Sequence, residues 1–251
     1  MSLLCLVHGA YLGAWCWDLL TPEIEARGHQ TVAVDLPIED PTAGVAQYAE
    51  VVSKALQGFE DDVVLVGHSM AGLIIPLVAS QRPVRQLVFI AGVIPHIGVS
   101  LLDQSHDEPD PNLLKAIGYE LPEADKFEQF SDEPNMFNPA ALGKNLLQDE
   151  AVAREFLFHD CASDVASWAF PKLRNQQFLY ISEVSPLQAW PDVKCTYIVC
   201  GEDRSLSPAW CRYAARKRLG VDAIELPQSS HCPMLSHPAQ LADILAKVAS
   251  T

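Results

Sequence analysis

The chain has 251 residues, of which 49% are hydrophobic and 20% are charged, and its formal net charge at pH 7 is −15. This apolar content, without a low-complexity tract, predicts one large packed core with an insertion. The negative charge argues against nucleic acid or an anionic membrane surface as a partner, because both would repel the protein.

The seven cysteines are odd in number and form no C-x-x-C pair, and several fall in predicted strands or helices. Such cysteines are typical of buried free thiols in a reducing compartment. The first residues show no basic stretch before an apolar one, so no signal peptide is expected. The apolar segment 63–79 contains Gly67, His68 and Ser69, which a membrane span would resist. We therefore expect a soluble, cytoplasmic protein.

The first hundred residues alternate between strand-like and helix-like patterns. The continuous apolar run LLCLVH (3–8) predicts a strand covered on both faces, and the helical spacing of residues 14–28 stops at Gly28. The alternation continues with strands over residues 30–37, 62–67 and 84–92 and helices over 44–59 and 70–82. This βαβαβαβ order indicates a mostly parallel sheet with helices on both faces.

The alternation breaks between Leu101 and Leu187, where turn-rich stretches separate short helical segments. It resumes with a strand and loop over residues 195–203, a helix over 208–220, a strand over 221–227 and a closing helix over 238–250. We predict an α/β core of residues 1–100 and 188–251, with a mostly parallel sheet of about six strands flanked by helices. A helical cap insertion over residues 101–187 interrupts this core.

The segment GHSMAG (67–72) places a serine between a predicted strand and a predicted helix. Gly67, Ser69 and Ala71 occupy the three key positions of G-x-S-x-G, with alanine in place of the second glycine. In this motif a sharp turn requires small flanking residues and lifts the serine hydroxyl above the sheet edge. Ser69 is therefore the candidate nucleophile. The alternative is a helix N-cap, and the two roles are compatible.

A serine nucleophile needs a base to take its proton and an acid to orient that base. Serine hydrolases built on such a sheet supply these groups in the order Ser, Asp, His. Asp203 lies in a predicted loop after one strand, and His231 follows the last strand. Carboxyl ends of strands are where open α/β sheets build their sites, so these are the candidate acid and base. Glu202 remains an alternative acid, and His237 is expected on the surface.

The segment LVHGAYLGAW (6–15) follows the first strand and offers a tight turn at His8-Gly9-Ala10. Attack on an ester carbonyl creates an oxyanion that needs two backbone N–H donors in place beforehand. One donor is Met70, the residue after the nucleophile, and we assign the other to Ala10. The alternative is an ordinary strand-to-helix turn.

Four segments together, LVHGAYLGAWCW, GHSMAG, YIVCGED and SSHCPMLSHP, resemble the α/β-hydrolase superfamily. They are most similar to the branch of plant methylesterases, including salicylic-acid-binding ones, hydroxynitrile lyases and bacterial esterase relatives. The resemblance spans nearly the whole chain and is weaker in the insertion, which in that branch is a cap over the pocket. It implies the same nucleophile (Ser69), base (His231), orienting acid (Asp203) and oxyanion donors (Ala10 and Met70).

The substrate pocket is predicted from the same resemblance. The segment 156–176 resembles a cap helix of bacterial esterases, so Phe158 and Trp168 are candidate pocket walls, and Tyr11 and Leu206 complete the candidate set. Plain packing of an amphipathic helix is an equal alternative for the two cap aromatics. The aromatic cap favours a small hydrophobic or aromatic ester, with a methyl or short-alkyl ester of an aromatic acid as the first choice.

Two departures from the resemblance separate its branches. Hydroxynitrile lyases of this type carry a lysine right after the catalytic histidine and a threonine at the oxyanion position, whereas this sequence has Cys232 and Ala10. Both departures favour ester hydrolysis. We predict a carboxylesterase that works through an acyl-enzyme and needs no metal or cofactor. Its partner is a small-molecule ester substrate, and the sequence is also compatible with a homodimer. The alternatives are a cyanohydrin lyase and a low-turnover relative that only binds a small ligand.

Overall fold

The computed structural model describes residues 1–59, 62–104 and 132–251. Its strands are β1 (Leu3–Val7), β2 (Gln30–Val34), β3 (Val63–His68), β4 (Gln86–Ile90), β5 (Lys194–Cys200) and β6 (Ile224–Leu226). They form one sheet in the order β2-β1-β3-β4-β5-β6, and every neighbouring pair is parallel. The predicted α/β fold with a mostly parallel sheet of about six strands is confirmed.

The central strands are apolar at nearly every position because both faces of the sheet are covered. Every residue of β1, β3 and β4 is buried. Along β1, Leu3, Cys5 and Val7 belong to one hydrophobic cluster, and Leu4 and Leu6 belong to a second. Since successive side chains of a strand point to opposite faces, the two clusters are the two sides of the sheet.

Helices cover both sides in the described part of the chain. Before β5 they are α1 (Thr21–Ala26), α2 (Val45–Ala55), α3 (Ile75–Gln81), α4 (Glu150–Leu157), α5 (Ser163–Ala169) and α6 (Leu179–Ser182). After β5 they are α7 (Pro208–Arg218), α8 (Pro233–Ser236) and α9 (Pro238–Ala249). Apart from Pro76, the buried residues of α2, α3 and α7 belong to the first cluster, and those of α1 and α9 to the second. The helices thus hold the sheet from both faces.

Two predicted helices are divided at a proline. The segment predicted as a helix over 14–28 forms a 3₁₀ turn, Ala14–Trp17, and then α1, with Pro22 in the first helical turn. The segment 70–82 forms a 3₁₀ helix and then α3, with Pro76 in its first turn. A proline lacks the N–H of an internal helical bond but fits the first turn, so each helix begins one residue before its proline.

The ends of β5 and β6 set where the loops begin. β5 ends at Cys200, so Asp203 lies in the loop that follows the strand, where the sequence predicts it. A β-carbon on Gly201 would lie 2.5 Å from the carbonyl oxygen of Pro227. Only glycine allows that approach, and it brings the loops after β5 and β6 together.

The described residues between β4 and β5 are largely helical or irregular. Isolated bridges join Ser100 to Val184 and Phe137 to Leu206. The middle of the predicted insertion, residues 105–131, lies outside the described residues. The division into a core and a cap over 101–187 stays a prediction. Within the described ranges, no helix combines the length and apolar composition needed to cross a bilayer.

Candidate active site

Ser69 lies at a sharp turn where β3 becomes a 3₁₀ helix (Ser69–Leu73). Its backbone φ is +53°, in the left-handed region that side chains other than glycine rarely adopt. His68 and Met70 on either side are buried, whereas Ser69 is partly exposed. Such strain in a non-glycine residue is typical of functional positions. The N-cap residue of this helix is His68, so the alternative role of Ser69 as an N-cap is wrong.

Gly72, the residue after the motif, is required by close packing behind the serine. A β-carbon on Gly72 would lie 2.1 Å from the carbonyl oxygen of Val93, a distance that no side chain can accommodate. The backbone N–H of Val93 also donates to the carbonyl oxygen of Ser69 at 3.0 Å. The helix after the serine is therefore held against the loop after β4.

Asp203 and His231 form a buried hydrogen bond across two loops. Nδ1–H of His231 donates to Oδ2 of Asp203 at 2.6 Å, and the two residues are 5% and 6% exposed. The other carboxylate oxygen, Oδ1, accepts the backbone N–H groups of Ser205 at 2.7 Å and Leu206 at 3.0 Å. The carboxylate thus fixes the imidazole with its proton on Nδ1, which leaves Nε2 as an acceptor.

The alternative acid, Glu202, does not make this contact. Its side chain is exposed, while its backbone N–H donates to the carbonyl oxygen of Ser229 at 3.0 Å. Glu202 therefore joins the two loops through its backbone. The carboxylate that binds the histidine belongs to Asp203.

A second histidine, His68, connects the serine turn to the His231 loop. Its Nε2–H donates to the backbone carbonyl oxygen of His231 at 2.8 Å, and the two ring centroids lie 4.6 Å apart. Complete burial, together with nearby His231, holds the pKa of His68 well below its usual 6.5, so the ring is neutral. The residue beside Ser69 is thereby bonded to the backbone of His231. The motif leaves this position free, so sequence reasoning gave it no role.

The loop after β1 packs directly against the serine. A β-carbon on Gly9 would lie 2.7 Å from Cβ of Ser69 and 2.9 Å from Nδ1 of His68. Only glycine fits between these groups, and this explains the glycine of the HGA segment. The backbone of the loop therefore runs beside Ser69.

His8 fixes the peptide that carries the Ala10 amide. Its Nδ1–H donates to the carbonyl oxygen of Gly9 at 2.8 Å, and its Nε2 accepts the backbone N–H of Leu36 at 3.0 Å. Because a trans peptide directs its N–H opposite to its carbonyl, the Ala10 N–H points away from His8. Within residues 1–59, 62–104 and 132–251, no acceptor takes that N–H. Met70 lies in the first turn of its helix, where N–H groups have no partner within the helix.

The four predicted pocket residues lie in different surroundings. Tyr11 has φ +63° and packs edge-on against Phe178, with ring centroids 6.1 Å apart. Trp168 is partly buried and packs edge-on against Trp15 at 5.7 Å. Phe158 and Leu206, by contrast, are fully buried in opposite hydrophobic clusters, and the Leu206 amide also binds Asp203. Substrate contact by these four residues stays a prediction.

The fold and this edge of the sheet define an α/β-hydrolase. The sheet is wholly parallel, the serine turn follows β3, and the Asp–His pair follows β5 and β6. The model of the alpha/beta hydrolase family matches residues 6–244, and the chain belongs to that family.

Relatives within the family are named methylesterases and esterases. Methylesterase 3 of Arabidopsis thaliana is 29% identical, over 98% of this chain and 95% of its own length. Salicylic acid-binding protein 2 of Nicotiana tabacum is 27% identical, over 97% and 94%. The crystal structure of a pyrethroid hydrolase from Sphingobium faniae, 22% identical, superimposes with a TM-score of 0.73 over 100% of this chain and 98% of its own. The similarity to Methylesterase 3 thus runs over nearly the whole of both chains, and the pyrethroid hydrolase has the same fold.

The buried His8 predicts a pH dependence of stability. Burial lowers the pKa of His8 from 6.5 to about 4, against the opposing effects of the Gly9 carbonyl and the Asp35 carboxylate. Between pH 6.5 and 4 the unfolded chain binds a proton on His8 and the folded chain does not. The contribution of His8 to the free energy of unfolding is therefore fully present above pH 6.5. As the pH falls through this window, the free energy of unfolding decreases by up to about 3 kcal/mol.

Urea unfolding from pH 7 to pH 4 measures this loss. In a His8→Asn variant the free energy of unfolding should fall less steeply with decreasing pH, and His68 should account for part of the slope that remains. Equal slopes in the wild type and the variant would contradict the assignment of the buried, neutral ring at residue 8.

Proposed function

We propose that the protein is a carboxylic ester hydrolase in which Ser69 is the nucleophile, His231 the general base and Asp203 its orienting acid. The main support is the buried hydrogen bond of 2.6 Å between Asp203 and His231. The backbone of His231 is in turn bonded to His68, the residue directly before Ser69. The relatives named methylesterase and esterase support the same reaction class.

The reaction proceeds by acyl transfer in two halves. Oγ of Ser69 attacks the ester carbonyl carbon while Nε2 of His231 takes the hydroxyl proton. The tetrahedral intermediate then collapses, the bond to the alcohol oxygen breaks, and His231 returns the proton to the departing alcohol. A water molecule, deprotonated by the same imidazole, attacks the acyl-enzyme and releases the carboxylic acid and the free serine.

Asp203 supports this cycle by electrostatics and orientation. Its Oδ2 holds Nδ1–H of His231, while its Oδ1 is occupied by two backbone N–H groups. The carboxylate therefore keeps one rotamer and stabilises the imidazolium that forms during attack. Replacement of such an aspartate by asparagine, which favours the wrong imidazole tautomer, lowers turnover by about 10⁴-fold in serine proteases.

The oxyanion is assigned to the backbone N–H groups of Ala10 and Met70. The contact of Gly9 with Ser69 and the hydrogen bond from His8 to the Gly9 carbonyl support Ala10, since they leave its N–H directed away from His8. Met70 follows the nucleophile at the start of a helix. Donors that are fixed before the reaction need no reorganisation, and each one contributes roughly 10²- to 10³-fold to turnover.

The substrate class is a small hydrophobic or aromatic ester, with a methyl ester of an aromatic acid first. Two aromatic pairs support this assignment, because they join the chain after β1, which packs on Ser69 at Gly9, to residues 168 and 178. Tyr11, next to Ala10, packs on Phe178, and Trp15 packs on Trp168. Relatives named methylesterase are consistent with a small alcohol group.

Replacement of Ser69 by alanine tests the nucleophile. The variant should bind substrate and lose hydrolysis of p-nitrophenyl acetate by about 10⁶-fold in turnover, because no other hydroxyl takes the place of Oγ. Ser80→Ala is the matched control, since Ser80 lies in α3 and donates to the carbonyl oxygen of Leu77. Full activity in Ser69→Ala would overturn the assignment.

A parallel assay distinguishes hydrolysis from cyanohydrin cleavage. Cys232 follows the base and is completely buried, and burial raises the pKa of its thiol well above the ordinary value, so the residue carries no charge for a cyanide. We expect methyl esters of aryl acids to be hydrolysed and mandelonitrile to release no cyanide above the rate of Ser69→Ala. Serine-dependent cyanide release without ester hydrolysis would favour the lyase. Ligand binding without an acyl-enzyme burst would favour a low-turnover binding protein.

A further inference from the structure

The segment 156–160, at the end of α4, contacts both loops that carry the Asp–His pair. Oγ of Ser205 donates to the carbonyl oxygen of Phe156 at 3.0 Å, and Nε2–H of His159 donates to the carbonyl oxygen of Glu202 at 2.9 Å. These two bonds hold the loop of Asp203 from both sides of that residue. The segment 156–160 is thereby connected to the site by specific hydrogen bonds.

Asp160 holds the other loop. Its Oδ2 accepts the backbone N–H of Ser230 at 2.8 Å, directly before His231, and lies 3.3 Å from Nδ1 of His237. Oγ of Ser230 in turn donates to the carbonyl oxygen of Leu157 at 3.0 Å. One carboxylate oxygen therefore contacts both ends of the turn 230–237, which contains His231 and α8. His237, expected on the surface, is partly buried.

These contacts lie on the two loops that bring Asp203 and His231 together. The two residues come from different strands, and the loops also meet through the backbone bond from Glu202 to Ser229. The Asp160 carboxylate is mostly buried, and it binds the backbone N–H of the residue directly before His231. A displacement of about 1 Å in such a site costs about 10²-fold in rate.

We propose that Asp160 is a positioning residue, which fixes the His231 turn through the Ser230 amide and so sets the geometry of the Asp203–His231 pair. The proposal deepens the proposed function and rests on it for its effect on catalysis. Asp160 itself touches neither the substrate nor the reacting atoms. The same contact makes the geometry of the base depend on the position of residues 156–160.

Kinetics of three variants test the role. In Asp160→Ala, kcat for p-nitrophenyl acetate should fall roughly 10- to 100-fold with KM changed less than about threefold. In Asp160→Asn the amide oxygen can still accept the Ser230 N–H, so kcat should return to within about threefold of the wild type. The control is Asp149→Ala. Asp149 is the N-cap of α4 and accepts the backbone N–H groups of Ala151 and Val152, so this variant weakens the same helix at its other end. Its kcat should be unchanged.

A spectroscopic measurement separates positioning from loss of stability. The Nδ1–H of His231, held in a short bond to Asp203, should give a far-downfield proton resonance that is absent in His231→Ala. This resonance should shift or broaden in Asp160→Ala and persist in Asp160→Asn and Asp149→Ala. Comparison with Asp149→Ala in thermal unfolding controls for a general weakening of the fold.

The outcomes are distinguishable. Wild-type kcat in Asp160→Ala, or a loss of kcat with an unchanged resonance, would overturn the proposal. If Asp160→Ala does not fold, the kcat of a folded Asp160→Asn variant decides the question. A loss of kcat would overturn the role of the acceptor oxygen, and a retained kcat would support that role. A wild type that hydrolyses no ester, yet whose resonance responds to Asp160, would contradict the proposed function and leave the positioning role intact.

Discussion

The hydrogen bond between Asp203 and His231 is the interaction on which the site depends. It joins two loops that leave neighbouring strands, β5 and β6, at the same edge of the sheet. A bond of 2.6 Å between buried groups tolerates little displacement, so both loops need support from other parts of the chain. That support comes from the Gly201–Pro227 contact, from the backbone of Glu202, and from the segment ending at Asp160.

The serine belongs to the same arrangement through its neighbours. His68 bonds to the backbone of His231, and Gly9 packs against Ser69, so the loops after β1, β3 and β6 meet at one place. His8 and His68 are both buried and neutral, and both direct a ring N–H at a backbone carbonyl. In this site two histidines fix the backbone through ring hydrogen bonds, and His231 is the histidine that we propose as the general base.

Much of this could be predicted from the sequence. Apolar runs bounded by glycine and polar turns gave the six strands, and the motif around Ser69 and the order Ser, Asp, His gave the candidate triad. The division of helices at Pro22 and Pro76 was missed, because helical spacing continues through a proline that only begins a new first turn. The role of Asp160 could not be predicted either, since its contact with Ser230 joins residues 70 positions apart.

In the proposed mechanism, Ser69, His231 and Asp203 act as one unit with the amides of Ala10 and Met70. The most direct measurement is a crystal structure of the protein after reaction with an aryl phosphonate that mimics the tetrahedral intermediate. We expect a covalent bond from phosphorus to Oγ of Ser69, Nε2 of His231 beside that oxygen, and a phosphonyl oxygen within hydrogen-bond distance of both amides. An adduct on another residue, or one whose phosphonyl oxygen points away from both amides, would contradict it.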